Sequence, residues 1–395
     1  MQVSISTAQA RRLLLYLQGL CEAPNRRLTP DGLYDLITRL GFVQVDSIRT
    51  VERAHHLTLL ARNTRYHPDL LRILVEEDRR LFENWTHDAS IIPTQWYPQW
   101  QPRFARERQR LRDRTSWQQR LGSDAQRVVD QVRDTVQQKG PVMSRDFSDE
   151  RSPGTATWWG WGPSKTALEY LWRSGELAVC QRLNFQKVYD LTQRVIPAQY
   201  LDSGPDHCAW IDWACSTALE RLGIATPAEI AAFWGAICLD EARAWCQARV
   251  GQAIRSVLVQ PEDASKPWMA YARHDIEALV NSLPAAPARI RFLCPFDPVI
   301  RDRRRTERLF NFSYRFEAFV PEKQRQYGYY VFPMLQGDRL IGRINLKYER
   351  RERTLRVKGQ WLEDGVELTK TRQRRITQEL ARYGKFIGAE SIAYE

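Results

Sequence analysis

No apolar run in this 395-residue chain approaches the ~20 residues that a bilayer-spanning helix requires. Met1 to Gln9 lack the basic-then-apolar pattern of a signal peptide, so a cytoplasmic location is expected. The seven cysteines, Cys21, Cys180, Cys208, Cys215, Cys238, Cys246 and Cys294, form an odd, scattered set without a C-x-x-C pair. That distribution argues against a disulfide framework and against a zinc site, and His207-Cys208 with Cys215 fits no common ligand spacing. There is also no nucleotide-binding signature and no cluster of carboxylates suited to two metal ions, so neither a cofactor nor a metal is expected.

What is present is an ordinary globular balance, 43% hydrophobic and 27% charged, in a chain too long for one small core. The charge is not ordinary. With 59 Lys and Arg against 47 Asp and Glu, the net value is +12, and arginine dominates lysine. Planar guanidinium groups favour bidentate contacts to phosphate and base edges, which makes nucleic acid the leading candidate partner.

Helical spacing places Leu13, Tyr16, Leu17 and Leu20 on one helix, and Leu33, Leu36, Ile37 and Leu40 on a second that starts at Pro30-Asp31 and stops at Gly41. A third helix is expected through Ala54 to Arg62, and a fourth from about Asp69 to Asn84. From Pro98 to Arg120 the composition turns to Trp, Gln and Arg, which reads as a largely exposed connector. Ala125 to Val136, Met143 to Phe147 and a helix capped at Ser164, followed by strands Leu177 to Leu183 and Lys187 to Val195, read as a winged helix. Its Thr155 to Gly162 insertion carries Trp158, Trp159 and Trp161, which either stack on bases or pack on the unit's own core. The pattern recurs from Ile211, with Thr226-Pro227-Ala228-Glu229 as a capping box. Beyond Arg289, short alternating runs read as an antiparallel sheet or small barrel, ending in a helix from Leu368 to Phe386. Positive charge concentrates there at Arg301, Arg303, Arg304, Arg305 and Arg308, and at Arg350, Arg351, Arg353, Arg356 and Lys358.

The expected fold is therefore mainly α with β (α+β): three tandem winged helix-turn-helix units plus a C-terminal β-rich, barrel-like portion. The expected divisions are 1–97, a connector at 98–122, 123–200, 201–285 and 286–395.

One stretch carries a chemical pattern. In Phe42-Val43-Gln44-Val45-Asp46, strand alternation sends Phe42, Gln44 and Asp46 to one face and Val43 and Val45 to the other. An amide and a carboxylate then share a side on which one orients a water and the other holds it. The alternative is a solvated strand end with Asp46 capping the next helix.

Gln44-Val45-Asp46-Ser47-Ile48, Arg53-Ala54-His55-His56-Leu57, Trp85-Thr86-His87-Asp88-Ala89, Cys294-Pro295-Phe296-Asp297, the run from Pro321 through Arg325 to Tyr327-Gly328-Tyr329, and Gly342-Arg343 follow one another at characteristic spacings. In that order they resemble the bacterial YcaQ-type (AlkX) DNA glycosylases, relatives of the AlkZ crosslink-resistance glycosylases, over about residues 7 to 385. The resemblance implies three winged-helix units around a β-rich portion, a C-shaped channel for duplex DNA, removal of N7-alkylated purines including crosslink unhooking, and a monomer. It makes Gln44 and Asp46 the catalytic signature. The AlkZ branch carries Gln at the third place of that signature, so Asp46 argues for the YcaQ side. Asp88 departs from the pattern, in which Glu is usual.

On this reading the enzyme is monofunctional, because no lysine lies in the motif to form a Schiff base. Activity should then survive a chelator. Arg53, His55 and His87 become expected DNA or active-site supports, with Arg301, Arg303 and Arg304 as further DNA contacts. The competing reading is a winged-helix transcription regulator without catalysis.

Overall fold

The computed structural model describes residues 3–121, 124–147, 162–263 and 265–395; the Trp158 to Trp161 insertion lies outside them. The chain forms a mixed helix-and-strand fold of two compact units, one made of Met1–Pro68 with Ala214–Glu395 and the other of Asp69–Trp213. Among the described residues, no helix is long and apolar enough to cross a membrane.

In the first unit, strand Val3–Ser6 runs parallel to Ile254–Gln260, which pairs antiparallel with Trp268–Arg273, and Ile224–Ala225 completes the sheet. Val257, Val259, Ala270 and Ala272 are buried and close over Ile5, Leu13 and Leu14, so the two ends of the unit's sequence share one core. Helix Thr7–Leu17 starts at a capping box in which the Gln9 amide N–H donates to Ser6 Oγ at 3.2 Å. Helix Pro30–Leu40 begins with Thr29 accepting from Gly32 N and with Pro30 at its first position. It ends at Gly41, whose φ of +92° suits glycine; a Cβ there would lie 2.9 Å from Arg221 Cδ and 3.1 Å from the Trp234 ring.

From His207 the order is helix His207–Leu222, strand Ile224–Ala225, helices Pro227–Trp234 and Leu239–Arg249, then the two longer strands. The expected Thr226 capping box is present, with Glu229 N donating to Thr226 Oγ1 and Thr226 N donating to Glu229. The C-terminal sheet runs Ile290–Phe292, Val331–Gln336, Arg339–Glu349, Thr354–Leu362 and Ser391–Tyr394, antiparallel except for its last pair. Its edge strands do not pair with each other, so it is a half-barrel and not a closed one. Helix Lys370–Ile387 packs on it, and Tyr383 donates to the Phe292 carbonyl at 2.6 Å.

The second unit departs from expectation at several places, among them a short helix, Thr192–Val195, where the second wing strand is expected to continue. The helix expected from Asp69 to Asn84 is only Pro68–Arg72 plus a π-turn, Ile73–Glu77; Arg79 takes a left-handed φ of +55°, and the chain enters strand Leu81–Trp85. That strand pairs in register with Ala89–Pro93, so cross-strand burial of Phe82 and Ile92 overrides the helical spacing of the leucines. The Trp, Gln and Arg-rich stretch is not largely exposed. It forms helices Tyr97–Asp113 and Thr115–Leu121 that bury Trp100, Phe104, Leu111 and Trp117. Each such side chain contributes on the order of 2–3 kcal/mol, more than the apolar period alone suggests among so many arginines.

Helix Ala125–Lys139, helix Pro163–Arg173 and the hairpin Leu177–Leu183/Gln186–Leu191 follow the expected order. Asn184 and Phe185 both take positive φ at the hairpin's two-residue turn. Gly162 caps the helix that starts at Pro163, two residues earlier than the expected Ser164 cap.

Candidate active site

Strand Val43–Gln44 is only two residues long. Phe42 and Val43 are buried on opposite sides of it, Phe42 against Phe233 and Trp234 at ring distances of 5.5 and 5.6 Å. The expected open face shared by Phe42, Gln44 and Asp46 is therefore not formed. Gln44 is 6% exposed, whereas Asp46, one residue beyond the buried Val45, reaches solvent in part. The physical reason is that the sheet edge is covered on both sides, and only the turn after it emerges. The carboxylate reaches the surface in part and the amide does not.

The turn holding Asp46 is tightly specified. Ile48 N donates to Asp46 Oδ1 at 2.7 Å, an Asx-type turn that fixes the carboxylate. Arg53 Nη1 donates to the Ser47 carbonyl at 2.9 Å, and Arg49 forms a two-pronged pair with Glu52 at 2.8 and 2.6 Å. The C-terminal sheet clamps the same turn: Tyr348 N donates to Thr50 O at 2.9 Å, and Arg350 Nη2 donates to the carbonyls of Arg49 and Val51. Arg350, read from sequence as part of a positive cluster, thus also serves the turn's geometry.

Behind the turn lies helix Ala54–Arg62, capped at Arg53. His55 is buried, with its ring 4.1 Å from that of His56, and His56 Nδ1 shares a 2.7 Å hydrogen bond with the Tyr66 hydroxyl. Burial pulls the His56 pKa down to about 4, against a smaller upward pull from Glu52, so it is neutral at pH 7. The Cys294-Pro295-Phe296-Asp297 motif proves to be a clamp on this helix. Asp297, fully buried, takes both Arg62 guanidinium arms, Nη2 at 2.9 Å, and accepts Val299 N at 3.0 Å. Cys294 Sγ lies 3.2 Å from Thr58 Oγ1 and its thiol is pushed up to about 12 by burial, so it is an inert packed group.

Sequence reasoning missed Tyr330. It is fully buried among Phe316, Phe332 and Phe296, with ring distances of 5.7, 5.2 and 6.4 Å. Its hydroxyl has no hydrogen-bond partner among the described residues. Burial first, then the Cys294 and Asp46 side chains, hold that hydroxyl well above the usual tyrosine range, which places Asp46 within electrostatic reach of it. Tyr330 sits at the start of an alternating run, where its apolar neighbours mask it as core.

The remaining expected contacts divide by role. Arg301 donates to Phe233 O at 3.2 Å and lies 4.9 Å over the Phe42 ring, and burial lowers its pKa to about 10. Arg303 donates to the carbonyls of Ile300 and Pro295 and covers Tyr314. Arg304 is exposed. Arg305 and Arg308 pair with Glu229. Gly342-Arg343 is likewise structural: Arg343 is buried between the Phe312 and Tyr327 rings and pairs with Glu363 at 2.7 Å.

His87 and Asp88 belong to the second unit, in the turn of the Leu81–Trp85/Ala89–Pro93 hairpin. His87 is exposed, its Nδ1 3.1 Å from Thr86 Oγ1. Asp88 has its pKa raised by burial, partly offset by the Ala89 amide that donates to it at 2.8 Å. Beside it Arg173 stacks 3.5 Å over Trp85.

Among the described residues, no cluster of three or more His, Cys, Asp or Glu is arranged to hold a metal ion.

The half-barrel and its helical segments place a partly exposed carboxylate on a clamped turn, and comparison with known proteins bears on the class directly. The family model described as DNA glycosylase AlkZ-like matches residues 37–386, and the chain belongs to that family. It is a DNA glycosylase, an enzyme of DNA repair, which decides against the regulator without catalysis. Among solved structures, Streptomyces sahachiroi DNA glycosylase AlkZ is similar over 100% of both chains, with a TM-score of 0.65 and 15% identity, a likeness of fold.

Proposed function

We propose that this glycosylase hydrolyses the N-glycosidic bond of N7-alkylated purines in duplex DNA, including purines tied into interstrand crosslinks, with Asp46 as the catalytic carboxylate and Gln44 as its support. The observation that carries this reading is the position of Asp46: a carboxylate fixed by Ile48 N, partly open to solvent, on a turn held from both sides. Three winged-helix units as DNA-gripping elements, with Arg53, His87 and Arg304 near the DNA and the buried His55 as a support for the turn that holds Asp46, belong to the same proposal.

An N7-alkylpurine carries positive charge, so its bond to the sugar is weakened and the base departs without being protonated. The electron pair of the C1′–N9 bond goes to the base, neutralising it. Positive charge develops on the sugar, and Asp46 stabilises it electrostatically. A water oxygen then bonds to C1′, and its proton passes to the Asp46 carboxylate and on to solvent, leaving an abasic site. Gln44, beneath the surface, holds the orientation of Asp46 and its water.

The test is release of N7-methylguanine from duplex DNA by wild type, Asp46→Asn and Gln44→Ala. Asp46→Asn should lose at least about 100-fold in single-turnover rate, in the range of losing one preorganised electrostatic group. It should keep its affinity for DNA. Equal rates for Asp46→Asn and wild type would overturn the assignment.

A further inference from the structure

The loop between Phe316 and Tyr330 presents a feature the reaction has not used. Phe319 is 88% exposed, the most exposed large hydrophobic side chain among the described residues; Tyr394 follows at 58%. Scattered apolar residues on a surface need no explanation. A phenylalanine almost wholly in water on a rigid support does, because a flexible loop would fold it back onto the protein.

The support is rigid. The buried Glu317 carboxylate accepts three backbone N–H groups across the loop, from Gln326 at 3.0 Å, Tyr327 at 2.9 Å and Gly328 at 3.1 Å. Burial pushes the Glu317 pKa up, the three amides more than offset it, and the group stays below its ordinary range. Val320 N donates back to Glu317 O at 3.0 Å, and Arg325 Nε donates to Val320 O at 2.8 Å, closing the tip on itself. Phe319 stands edge-on to Phe316 at 6.1 Å, and Phe316 packs on Phe296 and on Tyr330, the tyrosine within electrostatic reach of Asp46. Arg315 and Lys323 flank Phe319 four residues away on either side in sequence and are exposed, as is Glu322, while Arg325 closes on Val320 O and lies over the half-open Tyr329 ring at 5.1 Å.

We propose that Phe319 is a wedge that enters the base stack of duplex DNA beside the nucleotide being excised. An apolar side chain on a fixed support, with basic residues near it in sequence and joined by packed rings to the buried Tyr330, has the chemistry of residues that unstack a base step. The wedge suits a substrate whose base is tied to the opposite strand. Such a base cannot be extruded into a pocket, so access to C1′ has to come from opening the step and not from flipping. The inference rests on the proposed role of Asp46 only for where the wedge works, not for whether it inserts.

The experiment uses a duplex with 2-aminopurine next to N7-methylguanine, whose fluorescence rises when that base is unstacked. In the Asp46→Asn background, binding should raise the fluorescence severalfold; Asp46→Asn with Phe319→Ala should bind without that rise, and with Phe319→Trp should retain it. In single-turnover base release, Phe319→Ala should be at least tenfold slower than wild type on intact duplex. The loss should shrink to about twofold when the neighbouring step is already opened by an abasic site. Thermal melting of Phe319→Ala should match wild type, since the side chain packs on little. An unchanged fluorescence rise or an unchanged duplex rate in Phe319→Ala would overturn the wedge. A Phe319-dependent rise from a wild type that releases no base would uphold the wedge and overturn the reaction.

Discussion

At Asp46 and Gln44 the alternation of strand side chains identified a pair worth attention but not its burial, because a two-residue strand covered on both sides has no open face. The same neighbourhood contains a titration with a defined sign. The His56 pKa falls from 6.5 to about 4 in the fold, so between those values the unfolded chain binds the extra proton and the folded one does not. Stability from this group is therefore complete above pH 6.5 and is lost as pH falls towards 4. The loss is at most on the order of 3 kcal/mol for a shift of this size. Urea midpoints measured at pH 7 and pH 4.5 should separate more in wild type than in His56→Phe, whose ring keeps the packing on Tyr66 without the titrating nitrogen. An equal drop in both proteins would remove the assignment of the buried neutral imidazole.

Elements show where chain motifs become structure. Several residues that make the sequence recognisable, Asp297, Cys294 and Arg343, do not face a substrate; they tie elements together. Asp297 and Arg62 illustrate the magnitude. Both are almost wholly buried, and Arg62 also donates to the carbonyls of Gln18 and Thr58, so the guanidinium has exchanged its water for protein oxygens. Removing one partner leaves a charge without compensation. Asp297→Asn should destabilise the protein by about 3–5 kcal/mol, read as a lowered urea midpoint at neutral pH. A change within about 0.5 kcal/mol, the range of ordinary surface substitutions, would show that this pair does not hold helix Ala54–Arg62 in place. The Thr226-Pro227-Ala228-Glu229 cap and the tight turn after strand Leu177–Leu183 were legible beforehand, because both act through neighbours in sequence, whereas the cap expected at Ser164 lies at Gly162. The Leu81–Trp85 strand was not, because its leucine spacing fits a helix and only its partner strand selects otherwise.

For the whole molecule the governing quantity is charge. Several cations of the C-terminal positive cluster are engaged within the chain: Arg301 and Arg303 with carbonyls, Arg305 and Arg308 with the buried Glu229, and, at the surface, Arg356 with Glu352 and Lys358 with Glu395. Internal pairing moves the charge about but leaves the excess of +12 intact. DNA affinity should thus fall steeply with salt, with a log–log slope of about −0.9 for each phosphate neutralised. Arg304, exposed on the helix Arg303–Phe310, is the member of its cluster suited to such a contact; Arg304→Ala should make the slope shallower by about one phosphate and leave the fold intact. Binding that does not respond to salt would remove this electrostatic account.

By itself, the sequence determined the charge excess, the starts and stops of helices such as Pro30–Leu40 and Pro227–Trp234, the β-rich C-terminal texture and, through ordered motifs, the glycosylase family. These are properties of composition and of residues a few positions apart. Only the tertiary structure decided that Gln44 is covered while Asp46 emerges, that Asp297 serves Arg62 and not a substrate, and that Phe319 stands in water on a loop pinned by Glu317. Each of those depends on atoms far apart in the chain, whose burial and pairing are set by packing and leave no local trace in the order of residues.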